Sequence, residues 1–289
     1  MVMLRFDTPF QSLDAYVNCF SQEPIPVLKR TVQQLAALQE NEDRIGGKQL
    51  ASVVLSDPLM TLKLLSHLEQ HRRASQNHDI TTIDRAVMMI GITPFFRIFA
   101  DMPTLESRLA DVPTALVGAL RVIARARRAS HYARDWAILR HDLDVEEITI
   151  AALLHDTADV LFWSFAPQLT QRVYDMLRRD RGMRSALAQR EVFGFSANEI
   201  QLALAKAWRM PDLLITLMNG ADTNNPRVRT VQLANALARH NAKGWQNPAI
   251  PDDLEAISAL LKVNRSQLVK HLAIPQEDAE RLLPPDAET

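Results

Sequence analysis

The sequence predicts an all-α protein, and three observations carry that prediction. Only 8 of the 289 residues are glycine and 6% are aromatic, while Leu, Ala, Arg and Gln abound, residues that lose little rotamer freedom in a helix. No run of alternating β-branched residues marks a strand. Apolar residues recur instead at three- and four-residue spacing between capping residues and prolines.

The elements follow in order. Ser12 caps a first helix, Leu13 to Phe20, which stops before Pro24 and Pro26. Glu23-Pro24-Ile25-Pro26-Val27-Leu28 opens a second, with Val27, Leu28, Val32, Leu35 and Leu38 at core-facing spacing. After Gly46-Gly47 a third covers Lys48 to Leu55. Ser56 then caps a fourth, with Asp57 and Pro58 in its first turn and Leu59, Leu62, Leu65 and Leu68 along it. In Ile80 to Gly91, Ile83, Ala86, Val87 and Ile90 share one face, and Gly91 is a left-handed stop. Two prolines and several charges in Met102 to Pro113 place a subdomain boundary there, giving an N-terminal helical subdomain at 1–105 and a second at 106–289.

A long helix from about Thr114 to Leu139 follows, with a stripe of small residues, Val122, Ala126, Ala129, Ala133 and Ala137, joined by Trp136. Such a stripe lets helix backbones approach closely, so this helix is expected at the centre. Arg121, Arg125 and Arg128 flank one edge of the stripe and Arg127 and Arg134 the other. They read either as a solvated face whose stems cover the core or as an anion or partner surface. No aromatic residues interleave them as single-stranded nucleic acid binding would require. Further helices are expected over Glu146 to Leu154, Val160 to Phe165, Leu169 to Leu187, Asn198 to Trp208, Val228 to His240, Asp252 to Leu261 and Ser266 to Leu272, before a charged end that frays.

Bulk properties exclude more than they identify. The 34 acids nearly cancel the 33 bases, so no global field selects nucleic acid or an anionic membrane. Cys19 is the only cysteine; it excludes an intramolecular disulfide and a thiolate cluster, fits a reducing compartment, and reads as a small core residue rather than a reactive thiol. Met1 to Phe10 carries Arg5 and Asp7 without a long apolar run, so a cytoplasmic protein without signal peptide or membrane span is expected. No phosphate-binding glycine loop, nucleophile elbow or His-Glu-x-x-His occurs, and no cofactor is implied. Asp252 to Leu272 has the size of a helix-turn-helix around Val263-Asn264-Arg265 but lacks a clear basic recognition face.

The organising stretch is Leu153-Leu154-His155-Asp156-Thr157-Ala158-Asp159, where an apolar helix end delivers an adjacent His-Asp pair. Such a pair offers a divalent metal two ligands from one turn, provided that other segments supply the rest. Ile148 to Leu161 around it resembles the HD superfamily of metal-dependent phosphohydrolases, and more closely the HDOD family of bacterial signalling proteins. Pro24 to Leu28, Asp57 to Leu65, Ile80 to Gly91, Glu191-Val192-Phe193-Gly194-Phe195-Ser196 and Trp208-Arg209-Met210-Pro211 are similar to further HDOD elements, in the same order, across about residues 20 to 225. In one place the pattern departs: Glu69-Gln70-His71, followed by Arg72-Arg73, stands where the family has Asn-Ser-Ala.

The resemblance implies an HD-like helical domain and a bacterial signal-transduction or regulatory protein, with a signalling-protein partner and a small ligand as the alternative. It also locates the ligand positions of catalytic relatives. The first histidine falls at Arg125, whose permanent charge cannot ligate, and His131 lies about a half-turn off that face. The distant aspartate falls at Asn235. Ala197 stands in the Gly-x-x-His element, and Asn219-Gly220 where paired histidines occur. The expectation is therefore a vestigial metal site or ligand pocket formed by His155, Asp156, Arg125 and Asn235, with Arg125 holding Asp156 as an internal ion pair and no metal bound. Two other readings stay open: a metal-dependent phosphohydrolase acting on a nucleotide or cyclic dinucleotide, and a DNA-binding regulator using the C-terminal helices.

Overall fold

The computed structural model describes residues 5–22, 24–71, 81–180 and 182–283, and among these it contains helices and two isolated bridges but no strand. Glu23, Arg72-Arg73 and Ile80 of the sequence motifs lie outside the described residues.

The N-terminal helices are α1 (Leu13–Gln22), α2 (Lys29–Gln39), α3 (Gly47–Leu55) and α4 (Pro58–Gln70). Ser12 Oγ accepts from the Ala15 amide at 3.2 Å, as a capping serine does. Ser56 does not cap α4. Its hydroxyl donates to the Val53 carbonyl at 2.7 Å, closing α3, and Asp57 is the cap. One Asp57 oxygen accepts from the amides of Leu59 and Met60, and the other from the Leu28 amide at 2.8 Å and the Thr31 hydroxyl at 2.7 Å. A fully buried carboxylate thus fixes the starts of α4 and α2 together. Val27 and Leu28 are core residues, but Val27 sits in extended chain bridged to Thr104, so α2 begins only at Lys29.

Next come α5 (Ile83–Ile90), α6 (Ile92–Ile98) and α7 (Leu105–Arg108). Gly91 ends α5 with φ 81° and ψ 156°, so it leaves in an extended direction open to glycine rather than through the left-handed helical turn expected from the sequence. Helix α8 (Pro113–Leu139) buries its predicted stripe completely. It approaches α10 (Thr157–Phe165) so closely that a Cβ on Gly118 would lie 2.4 Å from the Trp163 ring. Between them in sequence is α9 (Val145–Leu154). Among the described residues, Val145–Phe165 is long and apolar enough to cross a membrane, but 83% of its 18-residue apolar window is buried within the protein, as in a core.

The stretch expected as one helix from Leu169 to Leu187 is two, α11 (Pro167–Arg179) and α12 (Ser185–Phe193). The break has a local cause: Asp180 turns extended and its carboxylate accepts from the Gly182 amide at 2.9 Å, an Asx turn that competes with the helix. Helix α13 (Ala197–Ala207) opens on a Ser196/Glu199 capping box. Beyond Pro211 lies α14 (Asp212–Asn219), which sequence reasoning passed over because it is a single short apolar run between a proline and a glycine. Then follow α15 (Pro226–His240), α16 (Ile250–Leu261), α17 (Arg265–His271) and α18 (Gln276–Leu282). The last corrects the expected frayed end. Leu282 is buried, and Arg281 donates to the Trp245 carbonyl at 2.7 Å. Residues 284–289 lie outside the described residues.

The core places α8 at the centre, packed chiefly on α9, α10 and α15. Residues 5–22 join it from the far side. The Phe6 amide donates to the Phe165 carbonyl and the Tyr16 hydroxyl to the Phe193 carbonyl, and Phe162 stacks on Phe193 at 4.1 Å. Burial among these rings pushes the Tyr16 hydroxyl up to about 12. Cys19 is buried, in keeping with its reading as a core residue.

Candidate functional site

The His-Asp pair forms the joint between two helices. His155 closes α9 with helical backbone angles, and Asp156 stands at the N-cap position of α10. Asp156 nevertheless does not cap. Its side chain turns to α8, where Arg125 donates to Oδ2 from Nε at 3.0 Å and from a terminal nitrogen at 2.7 Å. The start of α10 receives its acceptor from elsewhere: Gln201 Oε1, on α13, accepts from the Ala158 amide at 2.7 Å. The other Asp156 oxygen accepts from His155 Nδ1 at 2.8 Å, which fixes the imidazole with Nε2 as its remaining nitrogen.

Two residues given no role by sequence reasoning complete the network. Asp159, one turn along α10, lies 3.4 Å from the Arg125 guanidinium and accepts from Gln189 Nε2 at 2.9 Å. Gln189 also accepts from the Ala197 amide at 2.9 Å, so Ala197 enters the network through its backbone alone. Asp159 could have been suspected from its three-residue spacing to Asp156, which shares a helix face. Gln189 carries no such signal.

The electrostatics divide the two carboxylates. Burial alone would raise Asp156, but Arg125, the His155 hydrogen bond and the charge of Arg239 hold it well below the usual carboxylate range. Asp159 is pushed up to about 6 by burial and by the negative charge of Asp156. Burial works against the charge of Arg125, yet Asp156 and Asp159 outweigh it and raise the guanidinium further.

Of the four residues expected at the site, the structure brings three into direct contact. Asn235 makes no hydrogen bond to them. Buried on α15, it donates from Nδ2 to the Val231 carbonyl at 2.9 Å, and its Oδ1 has no hydrogen-bond partner among the described residues. One turn further on, Arg239 is the α15 residue whose charge reaches the carboxylates. His131 is exposed on α8. Arg128 bonds to the Asn241 carbonyl and side-chain oxygen, both at 3.1 Å, and Arg121, Arg128 and Arg134 are exposed while Arg127 is half-buried.

This donor set does not fit the divalent cation of HD phosphohydrolases. Both Asp156 oxygens are engaged, one by a permanent cation, and among the described residues no three His, Cys, Asp or Glu side chains converge in metal-ligand geometry.

The HDOD domain family matches residues 25–223. The fold resembles a response regulator, MmoQ, of Methylococcus capsulatus str. Bath, at 18% identity and a TM-score of 0.62, with 91% of this chain and 98% of that one covered. It equally resembles a virulence factor of Campylobacter jejuni subsp. jejuni, at 21% identity and a TM-score of 0.62, covering 94% and 97%. At these identities the likeness is one of fold. No match is found among curated proteins. With the family matched over more than half its length and its elements found in order, the chain belongs to the HDOD family.

Proposed function

We propose that this chain is a non-catalytic signal-transduction or regulatory protein of a bacterial cytoplasm, acting by binding a protein or small ligand, with a degenerate HD site. One observation carries the reading: the Arg125 guanidinium rests 2.7 Å from Asp156 Oδ2, where a catalytic site would need a metal. A cation admitted there would have to displace an arginine and leave its charge buried. The names of two relatives, a response regulator and a virulence factor, are compatible with a regulatory role. A DNA-binding tail is disfavoured because Arg265 and Arg281 direct their guanidinium donors to the carbonyls of Pro251 and Trp245.

Native mass spectrometry of the full chain, purified without chelator and then supplied with manganese or zinc, tests the reading. The expected result is the bare chain mass and no turnover of phosphodiester substrates. A stoichiometric metal that is lost in Asp156→Ala, accompanied by hydrolysis, would establish the phosphohydrolase instead.

A further inference from the structure

We infer that the outward face of α8 is a docking surface for an acidic amphipathic helix of a partner protein. The inference rests on the binding role proposed above and names the partner's chemistry.

The argument begins with spacing. Val117, Ala124, His131 and Ile138 recur every seven residues along α8, and the complementary positions of the same heptad hold Leu120 and then Arg127 and Arg134, so the seam is apolar along one row and turns basic along the other. Val117, Leu120, Ala124, His131 and Ile138 are all exposed, with apolar side chains at both ends of the row: Val117 is 46% exposed and Leu120 37% near the start, and Ile138 51% near the end. Leu139, the last residue of α8, and Leu143, beyond its end, are exposed as well, at 47% and 92%. A central helix normally spends its apolar residues inward. Here the buried stripe is already complete, and this second seam stays uncovered by any of the described residues.

Charge specifies the partner. At 100° per residue, Arg121 and Arg128 border the seam on one side and Arg127 and Arg134 on the other. None of the four has a carboxylate partner among the described residues, and Arg128 uses donors only on Asn241. Asp135 lies on the seam itself, about five turns along from Val117, and offsets one of these four charges. A local excess of arginine thus persists on a chain whose net charge is −1. An apolar stripe bordered by arginines on both sides complements a helix with an apolar stripe bordered by acids. A second copy of α8 fits poorly, since a two-fold pairing sets arginine against arginine. Duplex or single-stranded nucleic acid fits poorly too, because phosphates would cover Val117, Leu120 and Ile138 without an aromatic platform for bases.

The test uses the full chain and a fluorescein-labelled helical peptide of about four heptads, with leucine at the core positions and glutamate on the flanks. Anisotropy is expected to report saturable one-to-one binding that weakens as salt rises above about 0.1 M. Lysine-flanked and scrambled acidic peptides should not bind. The variant R121E/R134E should bind at least about tenfold more weakly with an unchanged thermal melt. If that variant does not fold, V117A/I138A probes the same seam and is expected to weaken binding. Absence of binding by the acidic peptide, equal binding by the scrambled one, or undiminished binding by the variants overturns the inference. So does retention on phosphatidylglycerol vesicles that the peptide cannot compete, or a dimer in sedimentation velocity that V117A/I138A dissolves. Metal content and hydrolysis are read independently, so the two proposals fail separately.

Discussion

At the scale of single residues, Arg125 stands between two acids with opposite demands. Removing it leaves Asp156 charged, buried and served only by His155, so Arg125→Ala should lower stability by about 3–5 kcal/mol in urea unfolding. Arg125→Lys should recover only part of this, because one ammonium cannot reproduce two donors on the same oxygen. Asp159 predicts a pH signature of known sign. Its folded value of about 6 lies above that of a free carboxylate, so its contribution is fully present at acid pH and lost as pH rises through about 6. Asp159→Asn keeps an acceptor for Gln189 and removes the titration. The unfolding free energy of wild type minus variant should therefore fall between about pH 4 and pH 7, and a flat difference would contradict the assignment. The facing of Arg125 and Asp156 was legible in the sequence through the HDOD resemblance, which set both residues at one expected site. Gln189 and Arg239 were not, since they arrive on helices whose register against α10 no local spacing gives.

At the scale of elements, close approach is written into α8 by one glycine. Gly118→Ala puts a methyl group into the Trp163 ring, and the overpacking should cost about 1–3 kcal/mol, with Trp163→Phe in the same chain relieving part of it. Asp57→Ala should exceed the ~1 kcal/mol of an ordinary cap loss, because it orphans Leu28 and Thr31 on α2 as well as the start of α4. Helix existence was legible wherever an apolar period ran long, as in α8, α13 and α15. Ends were less so. Ser56, a good capping residue by type, lost its place to Asp57, which also bonds a segment 29 residues away. The α11–α12 break turns on an aspartate side chain competing with the helix, a contest that composition alone does not decide.

At the scale of the molecule, one continuous apolar cluster runs from Tyr16 through α8 to Leu282. The segment around residue 105, where the sequence suggested a boundary, is tied to both sides. Thr104 bridges to Val27, Arg5 pairs with Asp111, and Arg108 donates to the Ser164 carbonyl and lies 4.0 Å over the Phe165 ring. We propose that the halves 1–105 and 106–289 are layers of one cooperative unit, for which calorimetry should record a single unfolding transition and two resolved transitions would argue otherwise. Borrowed caps sharpen this. Glu146 on α9 accepts from the first amide of α5, Glu106 on α7 from that of α2, Gln201 on α13 from the second amide of α10, and Gln189 on α12 from the first of α13. In amide hydrogen exchange, the N–H groups of Ile83, Lys29, Ala158 and Ala197 should be released only when the helix lending the acceptor departs. Their protection would then trace the opening of a neighbour rather than fraying at their own helix end, and four backbone positions would report on how tightly the layers are held together.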